Sequence, residues 1–245
     1  MLVLNADSPE FETLKKGLTE GVSLLTYGTS LQSDVFFDAG LNQVIFKTLR
    51  FAMKFPPFFS LPEKLNLVGC VAAVFAIVPF FKLPEVFDFS KLPVLDGRGK
   101  LYRDILLHGR KVNIISDCYN SNPHSMVNGL SKFSRLKTTG RRIAVICQMK
   151  DLGTIDTAAH RAVLETALGL GFDMVIAIGE KYSSELANYI NSNIEELDQV
   201  LNKHVQHGDT LYFKGSHIYG LWAYVNALVD NKNDLKTKFY EQKTS

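Results

Sequence analysis

The stretch VNIISDCYNSNPHSM, residues 112–126, joins a β-branched run to a polar turn and the start of a helix. Val112–Ile115 has the composition of a short buried strand. Asn122 followed by Pro123 is typical of a helix start, with asparagine as the N-cap and proline in the first turn. Apolar residues at helical spacing follow at Met126, Leu130, Phe133 and Leu136. The stretch therefore predicts a strand, a loop and a helix.

The same alternation continues toward the end of the chain. Further strands are predicted at Arg142–Ile146, Met174–Ile178 and Asp209–Phe213. Helical patterns cover Ala158–Leu170, Ser183–Asn191, Ile194–Val205 and Ile218–Val229. Strands separated by such helices predict an α/β fold with a mainly parallel, Rossmann-like sheet over residues 111–245. Because ligands bind beyond the carboxyl ends of parallel strands, the residues that follow each strand are the candidates for a site.

Residues 1–110 have a different texture, with short apolar runs interrupted by prolines, and the change predicts a domain boundary near residue 110. Within this region, LNLVGCVAAVFAIVPFF at residues 65–81 carries no charge. The run is shorter than the ~20 apolar residues of a membrane-spanning helix. It also contains Asn66 and Gly69. We therefore interpret it as a buried core helix and predict no membrane partner.

The composition is that of an ordinary globular protein. Of the 245 residues, 46% are hydrophobic and 21% are charged, with a formal net charge of +2. The near balance and the scattered basic residues argue against a nucleic-acid partner. The three cysteines form no CxxC pair, which favours a reducing compartment. The first residues have no signal-peptide pattern, so we expect a cytoplasmic protein.

Three places carry polar groups suited to a ligand. Asp117 follows the first strand of the later region, where its carboxylate can accept hydrogen bonds from ribose hydroxyls. The alternative is that Asp117 and the neighbouring asparagines only organise the loop. Arg98 lies in a glycine-flanked turn, and the planar guanidinium pairs well with phosphate oxygens, although a surface arginine is the alternative. Lys214 and Ser216 lie between a strand and a helix, where an ammonium, a hydroxyl and backbone N–H groups meet an anion.

The loop after the first strand resembles a motif of the Mur ligases, close to D-D-S-Y-N-A-N-P-x-S-M in those that add D-alanyl-D-alanine. Seven residues match in register, namely Asp117, Tyr119, Asn120, Asn122, Pro123, Ser125 and Met126. Ser116 and Cys118 replace the first aspartate and the serine of the motif. By resemblance, Asp117 and Asn120 are expected to bind the nucleotide, and Asn122 the substrate.

Other landmarks of the family follow in order. Arg98 in DGRG resembles the arginine that reaches the ATP phosphates, and Asn66 resembles an asparagine of H-N-V-x-N-A-L-A-A, expected at the nucleotide. Lys214 and Ser216 in KGSH resemble the family's K-G-S-R, which lies beside the amino-acid substrate. The chain departs from the family patterns at Leu65, Gly69, Gln148 and His217.

The segment CQMKDLG, residues 147–153, resembles the family pattern G-D-M-x-E-L-G. Downstream, His160 falls where the family has a histidine near a helix start. A histidine within a helix is more often a structural residue with satisfied hydrogen bonds, so that interpretation stays open beside a role in the site.

The resemblance implies an ATP- and Mg²⁺-dependent ligase that adds D-Ala-D-Ala to UDP-MurNAc-tripeptide in peptidoglycan precursor synthesis. It assigns residues 1–110 to the end of the central ATP-binding domain, as a partial α/β domain, and residues 111–245 to the C-terminal domain. The sequence contains no G-x-x-x-x-G-K-[ST] phosphate loop. We therefore expect a separate N-terminal half to supply the phosphate and metal ligands, and no ligation without it.

Two alternatives remain at this stage. The first is a non-catalytic α/β module derived from a Mur ligase, which binds a dipeptide, a nucleotide or a partner protein. The departures from the family patterns favour this alternative, in which the chain has lost the ligase activity of its ancestors. The second is another member of the wider ligase superfamily, such as a folylpolyglutamate synthase, against which the YNSNP loop argues.

Overall fold

The computed structural model describes residues 1–56, 59–78, 83–182, 187, 189–191, 194–216 and 219–230. The chain divides into two compact units, Met1–Pro93 and Val94–Ser245. Each unit has a six-stranded sheet of its own.

The first unit is an α/β structure with a regular sheet and two helices, as the resemblance implied. Its strands are β1 (Leu2–Asn5), β2 (Leu24–Gly28), β3 (Val35–Asp38), β4 (Gln43–Phe46), β5 (Leu49–Lys54) and β6 (Val86–Asp88). Its helices are α1 (Phe11–Lys16) and α2 (Leu61–Ile77). The strands lie in chain order. The β1–β2, β2–β3 and β5–β6 pairs are parallel, whereas β3–β4 and β4–β5 are antiparallel. No helix separates the strands from β2 to β5 within the described residues 1–56, so this part lacks the strand–helix alternation that made the later region recognisable.

Helix α2 covers one face of this sheet. Its buried residues are spaced three or four apart, at Leu65, Val68, Val71, Ala72 and Phe75. The Phe75 ring stacks on Phe46 of β4 at 4.9 Å. The helix begins at a capping box in which the Ser60 backbone N–H donates to the Glu63 carboxylate at 2.7 Å. The predicted core helix is thus confirmed over the described part of residues 65–81, and in that described structure no helix is long and apolar enough to cross a membrane.

The second unit has the predicted α/β architecture. Its strands are β7 (Lys100–Leu107), β8 (Arg110–Asp117), β9 (Arg142–Cys147), β10 (Met174–Ile178), β11 (Tyr189–Asn191) and β12 (Thr210–Lys214). Its helices are α3 (Pro123–Ser134), α4 (Asp156–Gly169), α5 (Glu195–His204) and α6 (Leu221–Val229). The strand order is β11-β10-β9-β12-β8-β7, and every pairing is parallel except that of β7 with β8.

Helices pack on both faces of this sheet because its inner strands are apolar on both sides. On one face, Ile114, Val145 and Phe213 pack in a cluster with residues of α5 and α6. On the other face, strand residues such as Ile146 and Tyr212 pack in a cluster with residues of α3 and α4. This three-layer arrangement fixes the carboxyl ends of β8, β9 and β12 beside one another.

One prediction about this unit needs correction. The helix expected at Ser183–Asn191 is wrong over Tyr189–Asn191, which form β11, while residues 183–186 and 188 lie outside the described structure. Pairing of β11 with β10 supplies backbone hydrogen bonds that override a local helical pattern. The last helix begins at Leu221, and Ile218 lies outside the described residues. The second compact unit begins at Val94, because β7 pairs with β8, and residue 110 begins β8.

Candidate functional site

Asp117 and Lys214 end two neighbouring parallel strands and lie side by side. The register of β8 and β12 places Lys214 opposite Asp117. The Lys214 ammonium donates to Asp117 Oδ2 at 2.9 Å, and its side chain is only 3% exposed. A buried ammonium needs a paired carboxylate, so the two residues hold each other in place.

A second donor reaches the same carboxylate oxygen. The hydroxyl of Tyr212, two residues before Lys214 on β12, donates to Asp117 Oδ2 at 2.8 Å. Within the described structure, no hydrogen bond reaches the other oxygen, Oδ1. The Asp117 side chain is 20% exposed. The carboxylate therefore keeps one oxygen able to accept a hydrogen bond from a ligand.

The asparagines of the loop make local hydrogen bonds. Asn122 is the N-cap of α3, and its Oδ1 accepts from the Ser125 backbone N–H at 2.8 Å. Asn120 Oδ1 accepts from the Ser121 backbone N–H at 2.8 Å. The backbone carbonyl of Asn120 also accepts from the Lys214 ammonium at 3.4 Å. Both amide oxygens therefore shape the loop, which is the alternative role that the sequence left open for these residues. Both asparagines are also exposed in the loop that follows Asp117.

The turn that carries Arg98 is attached to the end of β8. The Gly99 backbone N–H donates to the Ser116 carbonyl at 2.7 Å, and the Tyr119 N–H donates to the Gly97 carbonyl at 3.1 Å. The exposed Arg98 guanidinium lies over the Tyr119 ring, 4.2 Å from its centroid. Arg98 is therefore held at the same edge of the sheet as Asp117, with a cation–π contact that restrains its long side chain.

The segment after β12 approaches the end of β9 closely. A Cβ on Gly215 would lie 2.5 Å from the Cβ of Cys147, so only glycine fits there without a shift. Ser216 is 5% exposed, and its carbonyl accepts from the Tyr219 N–H at 3.2 Å. His217, where the sequence departs from the family pattern, lies outside the described residues.

His160 organises the loop after β9 from inside the protein. Its side chain is fully buried, and its Nε2 accepts from the Met149 backbone N–H at 2.9 Å. Since Nε2 is an acceptor, the ring proton is on Nδ1, which donates to the Asp156 carbonyl at 2.8 Å. These contacts support the structural interpretation of His160.

Gln148 replaces the aspartate of the family pattern in that loop. Its side chain packs against Gly179, where an added Cβ would meet Gln148 Oε1 at 2.4 Å. Gly179 also has a φ of +117°. The Oε1 atom is buried and has no hydrogen-bond partner within the described structure. Gln148 thus brings an unused amide acceptor to the end of β9.

Asn66, the remaining predicted nucleotide contact, belongs to the first unit. It is exposed on α2, one residue after the buried Leu65. One turn later, a Cβ on Gly69 would lie 2.8 Å from Cζ of Tyr27, so the Tyr27 ring fills the space where the family has an asparagine side chain. Burial raises the pKa of Tyr27.

The chemistry of a metal centre does not fit the described residues. No group of three or more His, Cys, Asp or Glu side chains in the described ranges can hold a metal ion. The thiol beside the site is also unsuited as a ligand or nucleophile, because burial raises the pKa of Cys147 to about 12.

Sequence reasoning missed two residues of the site, Tyr212 and Gly129. Tyr212 lies two positions before Lys214, and the twofold periodicity of a strand puts both side chains on one face. That signal was present in the sequence. Gly129 has no comparable signal, because its importance arises only where α3 packs on β12.

Known proteins give an independent view of the same region. Residues 98–217 match the family model described as Mur ligase, glutamate ligase domain. Over 202 residues the chain is 26% identical to the UDP-N-acetylmuramoyl-tripeptide–D-alanyl-D-alanine ligase of Buchnera aphidicola, covering 78% of this chain and 42% of that ligase. The ligase of the same name from Synechocystis is 30% identical over 142 residues, covering 54% of this chain and 30% of the relative.

A solved structure extends the likeness to both units. The MurF ligase of Thermotoga maritima, solved in complex with ADP, superposes with a TM-score of 0.63 at 18% identity. The match covers 96% of this chain and 54% of that one. At this identity the likeness shows the fold alone. The chain spans about half the length of the solved ligase and less than half that of the two curated relatives.

Proposed function

We propose that the chain belongs to the Mur ligase family, whose model matches residues 98–217, and that it supplies the ribose-binding and amine-donor parts of a D-Ala-D-Ala-adding ligase. The substrates of that reaction are UDP-MurNAc-tripeptide, ATP and D-Ala-D-Ala. The names of the two curated relatives support this choice within the family. The three free thiols are consistent with work in the cytoplasm.

The proposed reaction has two steps. ATP transfers its γ-phosphoryl group to an oxygen of the tripeptide's terminal carboxylate, which gives an acyl phosphate and ADP. The amine nitrogen of D-Ala-D-Ala then attacks the carbonyl carbon. An amide C–N bond forms, the C–O bond to phosphate breaks, and the amine gives up a proton as inorganic phosphate leaves.

The observation that carries the proposal is the held carboxylate of Asp117. Two donors occupy Oδ2, so Oδ1 is the oxygen that accepts from a ribose hydroxyl. Asn120 lies beside it in the same loop, and the exposed guanidinium of Arg98 is at the same edge for a phosphate oxygen. We assign the ribose to Asp117 and Asn120, and a phosphate contact to Arg98.

The amine donor is assigned to the neighbouring strand end. The Lys214 ammonium has three N–H groups, and two of them donate to Asp117 and Asn120 within the described structure. The third is left for the carboxylate of the incoming dipeptide. Ser216 follows two residues later with a hydroxyl donor, and we assign Asn122, the N-cap of α3 at the end of the loop after β8, to the same substrate. A buried ammonium favours an anionic partner over water.

The remaining parts of the reaction belong to residues outside this sequence. We propose that residues 1–110 are the last part of the central ATP-binding domain, with Asn66 at the nucleotide, and that residues 111–245 are the C-terminal domain. The phosphate loop, the Mg²⁺ ligands and the UDP-sugar site would come from an N-terminal half. The described residues of this chain contain no group of three or more His, Cys, Asp or Glu side chains that could hold the Mg²⁺.

Complementation tests the proposal. The purified chain is mixed with the N-terminal half of a related D-Ala-D-Ala-adding ligase, and ADP and amide product are measured together. We expect product from the mixture, none from either half alone, and at least tenfold less from an Asp117→Asn chain. Product from this chain alone, or equal product with Asp117→Asn, would contradict the proposal.

A second candidate function is a non-catalytic binding module of the same descent. The Tyr27 ring that fills the space beside Gly69, and the amide of Gln148 in place of a carboxylate, both favour it. It predicts no turnover in the same mixture, while calorimetry still detects binding of D-Ala-D-Ala to the chain. Restored turnover would eliminate this candidate.

A further inference from the structure

Gly129 lies on α3 where the helix approaches the Asp117 carboxylate. A Cβ at this position would lie 1.9 Å from the Tyr212 hydroxyl oxygen and 3.2 Å from Asp117 Oδ2. No side-chain carbon fits 1.9 Å from the hydroxyl oxygen. Glycine weakens the interior of a helix, so its presence within α3 calls for a reason. The reason is room for the Tyr212 hydroxyl.

The ring of Tyr212 is held so that its hydroxyl has one direction. Tyr212 is 3% exposed and stacks on Phe133 of α3 with ring centroids 5.1 Å apart. Phe133 in turn stacks on Phe172 at 5.3 Å. Aromatic packing on the face of the ring fixes its plane and therefore the line along which the hydroxyl reaches Asp117.

The Tyr212 hydroxyl restrains the Asp117 carboxylate in a way that Lys214 alone does not. A single ammonium at the end of a flexible four-carbon chain leaves a carboxylate free to rotate about its Cβ–Cγ bond. A second donor of fixed direction on the same oxygen stops that rotation. Oδ1 is then held in one position instead of exchanging with Oδ2.

We propose that Tyr212 is a positioning residue for Asp117, accommodated by Gly129, and that it makes the site select for nucleotide ribose hydroxyls. This inference rests on the proposed function, in which Asp117 binds ribose. Tyr212 does not touch the nucleotide. It acts by keeping Asp117 Oδ1 preorganised to accept from a ribose hydroxyl, which lowers the cost of binding.

The test measures the affinity of the full chain for ADP and for 2′,3′-dideoxy-ADP by calorimetry. We expect the unmodified chain to bind ADP about tenfold more tightly than the dideoxy analogue, as for one hydrogen bond to a charged group. Tyr212→Phe is expected to reduce this ratio to about twofold. Its affinity for dideoxy-ADP should stay unchanged, which a general loss of structure would not allow.

The matched control is Tyr224→Phe. Tyr224 is also 3% exposed in this unit, and its hydroxyl donates to a carboxylate, Asp198 Oδ1, at 3.0 Å. This variant should keep the tenfold ratio. A Tyr212→Phe chain that keeps it too would overturn the inference while leaving the proposed function intact. If the unmodified chain itself binds both nucleotides equally, ribose binding by Asp117 fails and the inference fails with it.

A second pair of variants tests the role of Gly129 without any ligand. Gly129→Ala should lower the melting temperature strongly in the unmodified chain, because the new Cβ overlaps the Tyr212 hydroxyl. In the Tyr212→Phe background, which lacks that oxygen, the loss should be much smaller. Equal losses in the two backgrounds would show that Gly129 is not there for the hydroxyl.

Discussion

The pair formed by Lys214 and Asp117 is the residue-scale feature on which the site depends. A lysine ammonium that is 3% exposed has lost most of its hydration, and the carboxylate at 2.9 Å compensates for that loss. Such a pair adds little net stability relative to apolar residues of the same size, but breaking it leaves a buried charge without a partner. The pair is therefore better explained by the position it gives the carboxylate than by stability.

Asp117→Asn should destabilise the second unit. Removing the negative charge leaves the Lys214 ammonium buried and unpaired, which we expect to cost about 3 kcal/mol in the free energy of unfolding. Chemical denaturation followed by circular dichroism measures it. Glu165→Gln is the control, because Glu165 pairs with Arg161 on the surface of α4 with side chains 53% and 67% exposed. That substitution should cost less than about 0.5 kcal/mol, and equal losses for the two would contradict the account.

The three cysteines should differ sharply in reactivity. Cys70 is exposed, whereas Cys118 and Cys147 are buried and burial raises the pKa of both thiols, that of Cys147 to about 12. At pH 8, far below that value, the thiolate fraction of Cys147 is only about 1 in 10,000. A disulfide reagent in excess should therefore modify one thiol per folded chain and all three after denaturation. Cys70→Ser should abolish the fast phase, and a remaining fast thiol would count against the described burial.

At the residue scale, site residues that follow strands could be predicted from the sequence. Residues whose role arises from packing between elements could not. Asp117 and Lys214 come together because they end neighbouring parallel strands. Arg98 lies at the same edge because it precedes β7, which runs antiparallel to β8. The contact of Gly129 with Tyr212 joins a helix to a strand far along the chain. Local periodicity carries no information about such a contact, so the structure was needed to find it.

At the scale of elements, the start of α3 sets the geometry of the loop. Asn122 caps the helix, Pro123 occupies the first position, and Ser125 completes a capping box. The backbone of residues 118–122 is thereby fixed between the end of β8 and the first turn of α3. A loop of this kind presents its side chains in one arrangement, which is what a binding site requires.

The cap can be tested separately from the ligand. Asn122→Ala should lower the stability of the chain by about 1 kcal/mol, because the Ser125 N–H loses its acceptor. Asn122→Asp keeps an acceptor oxygen and should cost much less. Thermal denaturation of both variants makes the comparison. Equal destabilisation by alanine and aspartate would show that the side-chain oxygen does not act as a cap.

The elements themselves were predicted best where strands and helices alternate. The strands β8, β9, β10 and β12 were located to within a few residues, because buried parallel strands are continuous apolar runs. The failures have a common cause. β11 is a three-residue edge strand, and the first unit mixes parallel and antiparallel strands without helices between most of them. Both are defined by pairing partners instead of by local pattern.

At the scale of the whole molecule, the two units each have an independent core, and each has a six-stranded sheet. The polar groups of the second unit gather at the carboxyl edge of its sheet. At the opposite edge, a structural ion pair joins Arg141 Nη2 to Asp209 Oδ2 at 2.7 Å. Asp209 is only 1% exposed. The opposite edge thus serves the fold, and the carboxyl edge is the one that we propose for the ligand.

Titration of the isotopically labelled chain with ADP, followed by amide NMR, tests the central claim most directly. We expect the largest chemical-shift changes at residues 97–99, 116–122 and 214–216, all at the carboxyl edge, and a loss of these changes in the Asp117→Asn chain. Changes centred on Arg141 and Gly208 at the opposite edge, or no changes at saturating ADP, would contradict the assignment of this edge to the nucleotide.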